Sequence, residues 1–201
     1  MKSRIDVLYI KHDCLRVCQG DIFRDYEHES GKVDLTSKKV ITQKMFFPYI
    51  VVLTQDCDLE QDYNNRNSNS EKQDKYLHSI LACPAYLAEQ LKEGTHLDAL
   101  GVKMERQPRE KWHDIQQNLN PRYHFLRGFV DLQIPDLAID FKHYFTITRD
   151  SLYQFITNHY IGTINELFRE ALSQRFAYYL SRIGLPEIND HNSVDTTSKV
   201  S

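Results

Sequence analysis

Phe46-Phe47-Pro48-Tyr49-Ile50-Val51-Val52-Leu53-Thr54-Gln55-Asp56-Cys57-Asp58-Leu59-Glu60 is the stretch that decides the fold. Its first half is nearly unbroken apolar and β-branched sequence, which predicts a strand over 46–54 buried on both faces. Pro48 offers no N–H to a ladder and fits a strand entry or an edge. The second half delivers Thr54, Gln55, Asp56, Cys57 and Asp58 to the strand's end. Binding groups gather where a rigid element meets a loop, so this strand end is a candidate site. In an extended segment Asp56, Asp58 and Glu60 face one side and Cys57 the other. Carboxylates on one side suit a hard cation such as Mg2+ or Mn2+, which makes Asp56, Asp58 and Glu60 an alternative catalytic or metal set. The competing reading is a turn whose Asp side chains bond nearby backbone amides. Cys57 is a poor nucleophile candidate, because flanking carboxylates disfavour the thiolate. It is expected to point inward beside Cys83.

Working outward, Gly20-Asp21-Ile22-Phe23 reads as a turn feeding a strand. Leu35 to Gln43 reads as a further strand, and Tyr76 to Cys83 as another closed by Pro84. Between them, 62–75 is rich in Asn and Ser and is expected to be a mobile loop. Ala85 to Lys92, stopped by Gly94, and Arg109 to Gln117 read as short helices. Arg122 to Leu126, Phe129 to Leu132 and Leu137 to Ile147 read as strands. The clearest helix is Ile164 to Ile183, with apolar residues spaced by three and four, Thr163 and Glu166 as a capping box, and Gly184 and Pro186 at its end.

With 201 residues, 41% hydrophobic, the chain suits one domain with a helical appendage. The expected division is a sheet domain over 1–158 with the inserted loop 62–75, a helix within 159–186, and a disordered polar tail over 187–201. A net charge of −3 gives no global pull toward nucleic acid or anionic membrane, so a nucleic-acid site must be a local patch. The start carries no apolar signal segment and no run is long enough to span a bilayer, which leads to the expectation of a cytoplasmic protein with reduced thiols. The four cysteines, Cys14, Cys18, Cys57 and Cys83, do not have ribbon or knuckle spacing, so inert thiols are expected rather than a zinc site.

Two basic stretches are candidate contacts. Arg122-Tyr123-His124-Phe125-Leu126-Arg127 interleaves cations and aromatic rings, which can hold phosphates and stack bases; the competing and favoured reading is plain strand alternation, with Tyr123 and Phe125 inward and Arg122, His124 and Leu126 facing the other way. On the last helix Arg175, Tyr178 and Arg182 share one face, with Arg169 displaced from it. Thr54, Gln55, Asp56, Asp58, Arg122, His124, Arg127, Arg175 and Arg182 are therefore the candidate binding residues.

The order of elements resembles the PemK/MazF-type barrel, a small SH3-like fold. The resemblance rests on Gly20-Asp21-Ile22-Phe23, Phe47-Pro48-Tyr49-Ile50-Val51-Val52-Leu53-Thr54, Ile80-Leu81-Ala82-Cys83-Pro84 and Leu137-Ala138-Ile139-Asp140-Phe141-Lys142. It implies an α+β fold: a small β-barrel with helical insertions and a long C-terminal amphipathic helix. The family's nucleases place an Arg before that strand's Pro and a Thr or Ser after the later Pro. Here those positions hold Phe47 and Ala85-Tyr86, which cannot stabilise phosphorane charge as an Arg does. The chain also resembles uncharacterised bacterial proteins that share the Thr-Gln-Asp-Cys-Asp-Leu segment and an Arg-Phe-Ala-x-Tyr-x-x-Arg-Ile-Gly-Leu-Pro helix, here Arg175 to Pro186. Together these resemblances imply a non-catalytic accessory protein of a defence or toxin–antitoxin-like system that engages nucleic acid or a partner protein encoded nearby, with no cofactor. The alternatives are a metal-dependent nuclease and a structural subunit of a larger effector.

Overall fold

The computed structural model describes residues 7–68 and 71–182. The chain is α+β. Its elements run β1 (Tyr9–Ile10), β2 (Asp21–Asp34), β3 (Lys39–Val52), α1 (Asp56–Asn67), β4 (Ser79–Leu87), α2 (Ala88–Glu93), α3 (Arg109–Gln116), β5 (Tyr123–Leu126), β6 (Leu137–Asp140), β7 (Phe145–Thr148), α4 (Arg149–His159), β8 (Tyr160–Ile164) and α5 (Glu166–Leu180). The eight strands form one antiparallel sheet, ordered β1-β8-β2-β3-β4-β6-β5, with β7 also on β4. The sheet curls into a half-barrel.

β3 is buried as its composition demands. Ile22 opposite Val51 belongs to one core face, with Cys83, Ala85, Leu137 and Ile139. Phe23 opposite Ile50 belongs to the other, with Val52, Ile80, Ala82 and Tyr86. The strand's strict two-residue alternation therefore feeds two cores rather than one core and solvent. Leu172 and Phe176 of α5 cover the first face, and Leu59 of α1 with Leu152 and Ile156 of α4 cover the second. Each such buried side chain contributes roughly 1.5–3 kcal/mol.

Several expected elements differ. Leu35 to Gln43 is not one strand: 35–38 is the turn of a hairpin whose ladder runs from Ile22 opposite Val51 to Asp34 opposite Lys39. Pro48 sits within β3, not at its entry. Arg24 opposite Tyr49 and Tyr26 opposite Phe47 keep one register on both sides of it, and Asp25, with φ 58°, lies across from the missing donor. Pro84 does not close its strand either. It lies opposite Ile50, and β4 continues to Leu87. Of the expected loop 62–75, residues 62–67 are helical and Asp62 is buried. Asp62 accepts hydrogen bonds from Arg66, Arg149 and the backbone N–H of Leu77, which local composition does not reveal.

Leu137 to Ile147 is two strands, both on β4, separated by a helical turn over Phe141–His143 that shifts the register by three residues. Val130–Leu132 is likewise a helical turn rather than a strand, closed by an isolated bridge from Phe129 to Ile134. Sequence reading missed α4 and β8. Because β8 pairs with β1 and β2, 159–164 is not the beginning of the last helix. That helix starts after Asn165, the carbonyl of which accepts from the N–H groups of Phe168 and Arg169. Thr163 does not cap it and instead bonds Asp21. Ile183 and the tail over 187–201 lie outside the described residues.

Gly94 ends α2 with φ 78°, and a Cβ there would stand 2.6 Å from the Met104 carbonyl oxygen. Gly94→Ala combines left-handed strain with that overlap, so a loss of about 1–3 kcal/mol is expected. A thermal melt reads it as a fall of roughly 5 °C; an unchanged midpoint contradicts this account.

Candidate functional site

Helix α1 begins immediately at the strand end, which redistributes the opening cluster. Asp56 and Asp58 lie in its first turn, where positions two apart are about 200° apart around the axis. They do not share a side, contrary to the extended-segment expectation. Asp56 turns toward the molecule. Its Oδ1 accepts from the Gln19 N–H at 3.1 Å and from Arg16 Nη1 at 3.2 Å, and its Oδ2 accepts from Arg16 Nη2 at 3.2 Å. Arg169 Nη1 stands 3.3 Å from Oδ1. Burial pushes the Asp56 carboxyl up, but the Arg16 and Gln19 hydrogen bonds and both guanidinium charges outweigh it and hold it below the usual range. A carboxylate neutralised this way ties α1 and α5 to the segment before β2. Asp58 and Glu60 are exposed, as is Gln55. Thr54 Oγ1 accepts from the Leu81 N–H at 2.6 Å, closing the end of the β3–β4 ladder. Cys57 is exposed on α1, whereas Cys83 is buried in β4, so the expected Cys57–Cys83 neighbourhood does not exist.

The basic residues are also mostly engaged in structure. Arg122 makes two hydrogen bonds to Asp140, at 2.8 and 2.6 Å. His143 Nδ1 lies 3.0 Å from the same carboxylate. Burial alone would push Asp140 up, yet these bonds and charges bring it down to about 2. His124 is buried, and its Nδ1 accepts from Arg175 Nε at 3.1 Å, placing the ring proton on Nε2. Burial, and then the Arg175 charge, push His124 down to about 3, so it is neutral. Arg175 further donates to the carbonyls of Asn118, Asn120 and Tyr123. It therefore belongs to an internal clasp and not to an open basic face. Arg127 and Arg182 are exposed, and Arg182 lies over the Tyr179 ring.

A second polar cluster escaped the sequence reading. His12 Nε2 is 2.9 Å from Asp21 Oδ1, Thr163 Oγ1 donates to the same oxygen at 2.7 Å, and the Cys18 N–H donates to Oδ2 at 2.7 Å. One ligand atom from each of His12, Cys18 and Asp21 lies within 4.8 Å of the other two, a donor set of the kind zinc accepts. The backbone argues against that use. The Cys14 N–H lies 3.1 Å from His12 Nδ1 and needs a lone pair there, whereas a metal on Nε2 would leave the proton on Nδ1. The Asp21 and Cys18 hydrogen bonds pull the His12 pKa up to about 10 against the opposing effect of burial. The cluster pins 12–21 to β8. Among the described residues the four cysteines do not converge, since Cys14 packs on one core face and Cys83 in the other.

Cavities of about 590 Å3 beside Trp112 and about 540 Å3 beside Tyr76 and Arg149 also have room for a ligand, but the one that combines apolar walls with cations is a cavity of about 530 Å3. Phe47, Tyr86, Leu97, Met104 and Phe145 line its apolar part. Arg122, Lys142 and His143 gather at one corner around Asp140, the side chain of which accepts from the Lys142 N–H at 3.0 Å. The register shift between β6 and β7 creates this corner, because its extra residues push Lys142 and His143 out of the ladder. Tyr86 is 2% exposed, and its hydroxyl is buried with no hydrogen-bond partner among the described residues. The same holds for both ring nitrogens of His96, packed edge-on against Tyr86 at 5.0 Å. Burial raises the Tyr86 pKa, so the hydroxyl remains a donor. Unsatisfied buried groups of this kind cost about 1–3 kcal/mol each and are uncommon without a use. Phe47 and Tyr86 both line this cavity. Of the expected binding residues only Arg122 does.

Fold and cavity together define an α+β protein with a curled antiparallel sheet and an apolar, cation-cornered pocket. Comparison with protein-family models finds none that matches, and comparison with curated proteins finds no match. No helix among the described residues is long and apolar enough to cross a membrane.

Proposed function

We propose that this chain is a non-catalytic recognition module, a degenerate PemK/MazF-type barrel of a bacterial defence or toxin–antitoxin-like system, and that its cavity receives an unpaired nucleotide of a nucleic acid. The observation that carries the reading is the buried, unpartnered hydroxyl of Tyr86, a residue that lines an apolar cavity whose corner holds Arg122, Lys142 and His143. Aromatic walls suit a base, a lone donor suits its polar edge, and cations suit its phosphate. The cavity volume lies in the range typical of ligand sites. Asp140, the carboxylate behind the cavity's corner, is held by Arg122 and His143, and Asp56 is neutralised by Arg16 and Arg169, which argues against the metal-dependent nuclease.

Gel shifts with single-stranded RNA and DNA test this reading. A shift is expected, weakened about tenfold by Lys142→Glu through loss of a phosphate contact. Tyr86→Phe is expected to weaken binding while leaving the melting midpoint unchanged or higher, because it removes an unsatisfied buried hydroxyl. Absence of any shift overturns the nucleic-acid reading. If a protein encoded nearby then co-purifies and Tyr86→Phe releases it, the cavity is instead a protein-docking site.

A further inference from the structure

Lys92, Arg106, Arg109 and Trp112 line the cavity of about 590 Å3. Three cations thus meet the chain's single tryptophan. Arg109 and Trp112 lie three apart on α3 and so share a face. Trp112 is half-buried and sits edge-on to Phe125, with ring centroids 6.2 Å apart. Arg109 is exposed and has no ion pair among the described residues. Glu93 lies 3.1 Å from Arg106 and Glu89 3.7 Å from Lys92, but pairs this open to solvent hold weakly. The segment 104–107 joins this cavity to the one at Tyr86: Met104 lines the latter, and Arg106 and Gln107 the former. The Gln107 N–H donates to the Lys92 carbonyl at 2.8 Å, which holds the segment against α2. Two residues span at most about 7 Å, so the two linings come that close at this segment.

We infer that the Trp112 cavity takes the nucleotides adjoining the one in the Tyr86 cavity, with a base on the Trp112 ring and backbone phosphates at Arg109, Lys92 and Arg106. This rests on the nucleic-acid reading and names the ligand as a single strand of several nucleotides, not a mononucleotide or a duplex. Single strands are held by stacking on aromatic rings and by cations along the backbone. Inside a duplex both faces of each base are covered, so Trp112 has nothing to stack on. With a net charge of −3, a nucleic-acid backbone needs a local basic patch, and this cavity provides one.

Because Trp112 is the one tryptophan, its emission reports on this cavity alone. The full chain is titrated with thymidylate and uridylate from mononucleotides to octamers, while the anisotropy of a fluorescein-labelled octamer measures binding independently. The octamer is expected to quench Trp112 and to bind at least about tenfold more tightly than the mononucleotide, which leaves the emission unchanged. Arg109→Gln, at an exposed residue, is expected to weaken the octamer about threefold and to lower the salt slope by about 1. Trp112→Leu is expected to weaken it about tenfold, and Trp112→Phe to recover most of that, which separates stacking from packing. If the octamer binds but Trp112 emission does not change and Arg109→Gln has no effect, the inference is overturned and the reading of the Tyr86 cavity stands. Equal quenching by a stable blunt duplex also overturns it. If the octamer quenches Trp112 and Tyr86→Phe does not weaken it, the Trp112 site stands and the reading of the Tyr86 cavity falls. No binding by any oligomer overturns both.

Discussion

Arg175→Ala is expected to be the most damaging single substitution outside the hydrophobic core. The guanidinium donates to the carbonyls of Asn118, Asn120 and Tyr123 and to His124 Nδ1, so it joins α5 to β5 and the turn before it. Hydrogen bonds to a charged group are worth about 1.5–3 kcal/mol each, though not additively, and truncation strands every acceptor at once. A loss of about 3–5 kcal/mol is expected, a drop of roughly 10 °C in the thermal midpoint. Burial alone holds the Arg175 pKa below its ordinary value, so these acceptors are what keep the charge in place. Arg175→Lys is expected to recover only part of the loss, because an ammonium is a point charge and cannot serve three carbonyls arranged around a planar fork. If Lys restored full stability, the clasp would be acting through charge alone. A midpoint within 2 °C of wild type for the Ala variant would falsify the clasp.

The second large effect belongs to Asp140 and depends on pH. Its folded-state pKa of about 2 lies below the ordinary 3.8, so it contributes stability that is fully present above about pH 4 and is lost as the pH falls toward 2. That displacement corresponds to about 2 kcal/mol at neutral pH. Asp140→Asn also leaves the Arg122 guanidinium without its charged partner, so a total loss of about 3–5 kcal/mol is expected. Urea denaturation from pH 7 to pH 2 checks both parts. The variant starts lower, and its curve flattens between pH 4 and 2. Asp56 and Asp62, also held below their usual range, keep an acid limb in the variant. A variant curve parallel to wild type across this window would show that Asp140 is not held down by Arg122 and His143. Because Arg122 lines the cavity and Asp140 holds it, the proposed nucleic-acid binding is expected to weaken in this variant as well.

The legible parts of the chain were those whose signal is local. The apolar run over 49–53 announced a doubly buried strand, and the structure has one, with cores on both sides. Gly94 ended its helix as glycine does, with a positive φ. Locally patterned segments misled where long-range contacts intervened. The polar stretch after Glu60 read as a loop, yet the two arginines and the Leu77 amide that Asp62 engages hold its first part in a helix. The alternation from Leu137 to Ile147 read as one strand, and nothing in it marks the three-residue shift that builds the cavity's corner. The capping pair Thr163 and Glu166 fitted a helix start, but the Thr163 hydroxyl has a better acceptor in buried Asp21.

The candidate site divides along the same line. Residue types alone placed a rare concentration of polar groups at 54–60, because a run of β-branched residues has to end somewhere and its end is marked. They could not show that Asp56 would meet Arg16 and Arg169, which lie 40 and 113 positions away along the chain. Nor could they show that Phe47, Tyr86 and Lys142, on three different elements, would line one cavity. By itself the sequence determined the doubly buried strand and where its polar end falls, because period and composition act over neighbouring residues. Only the tertiary structure decided which charges are neutralised and which buried groups are left without a partner, because burial and pairing depend on elements that meet only when the sheet curls.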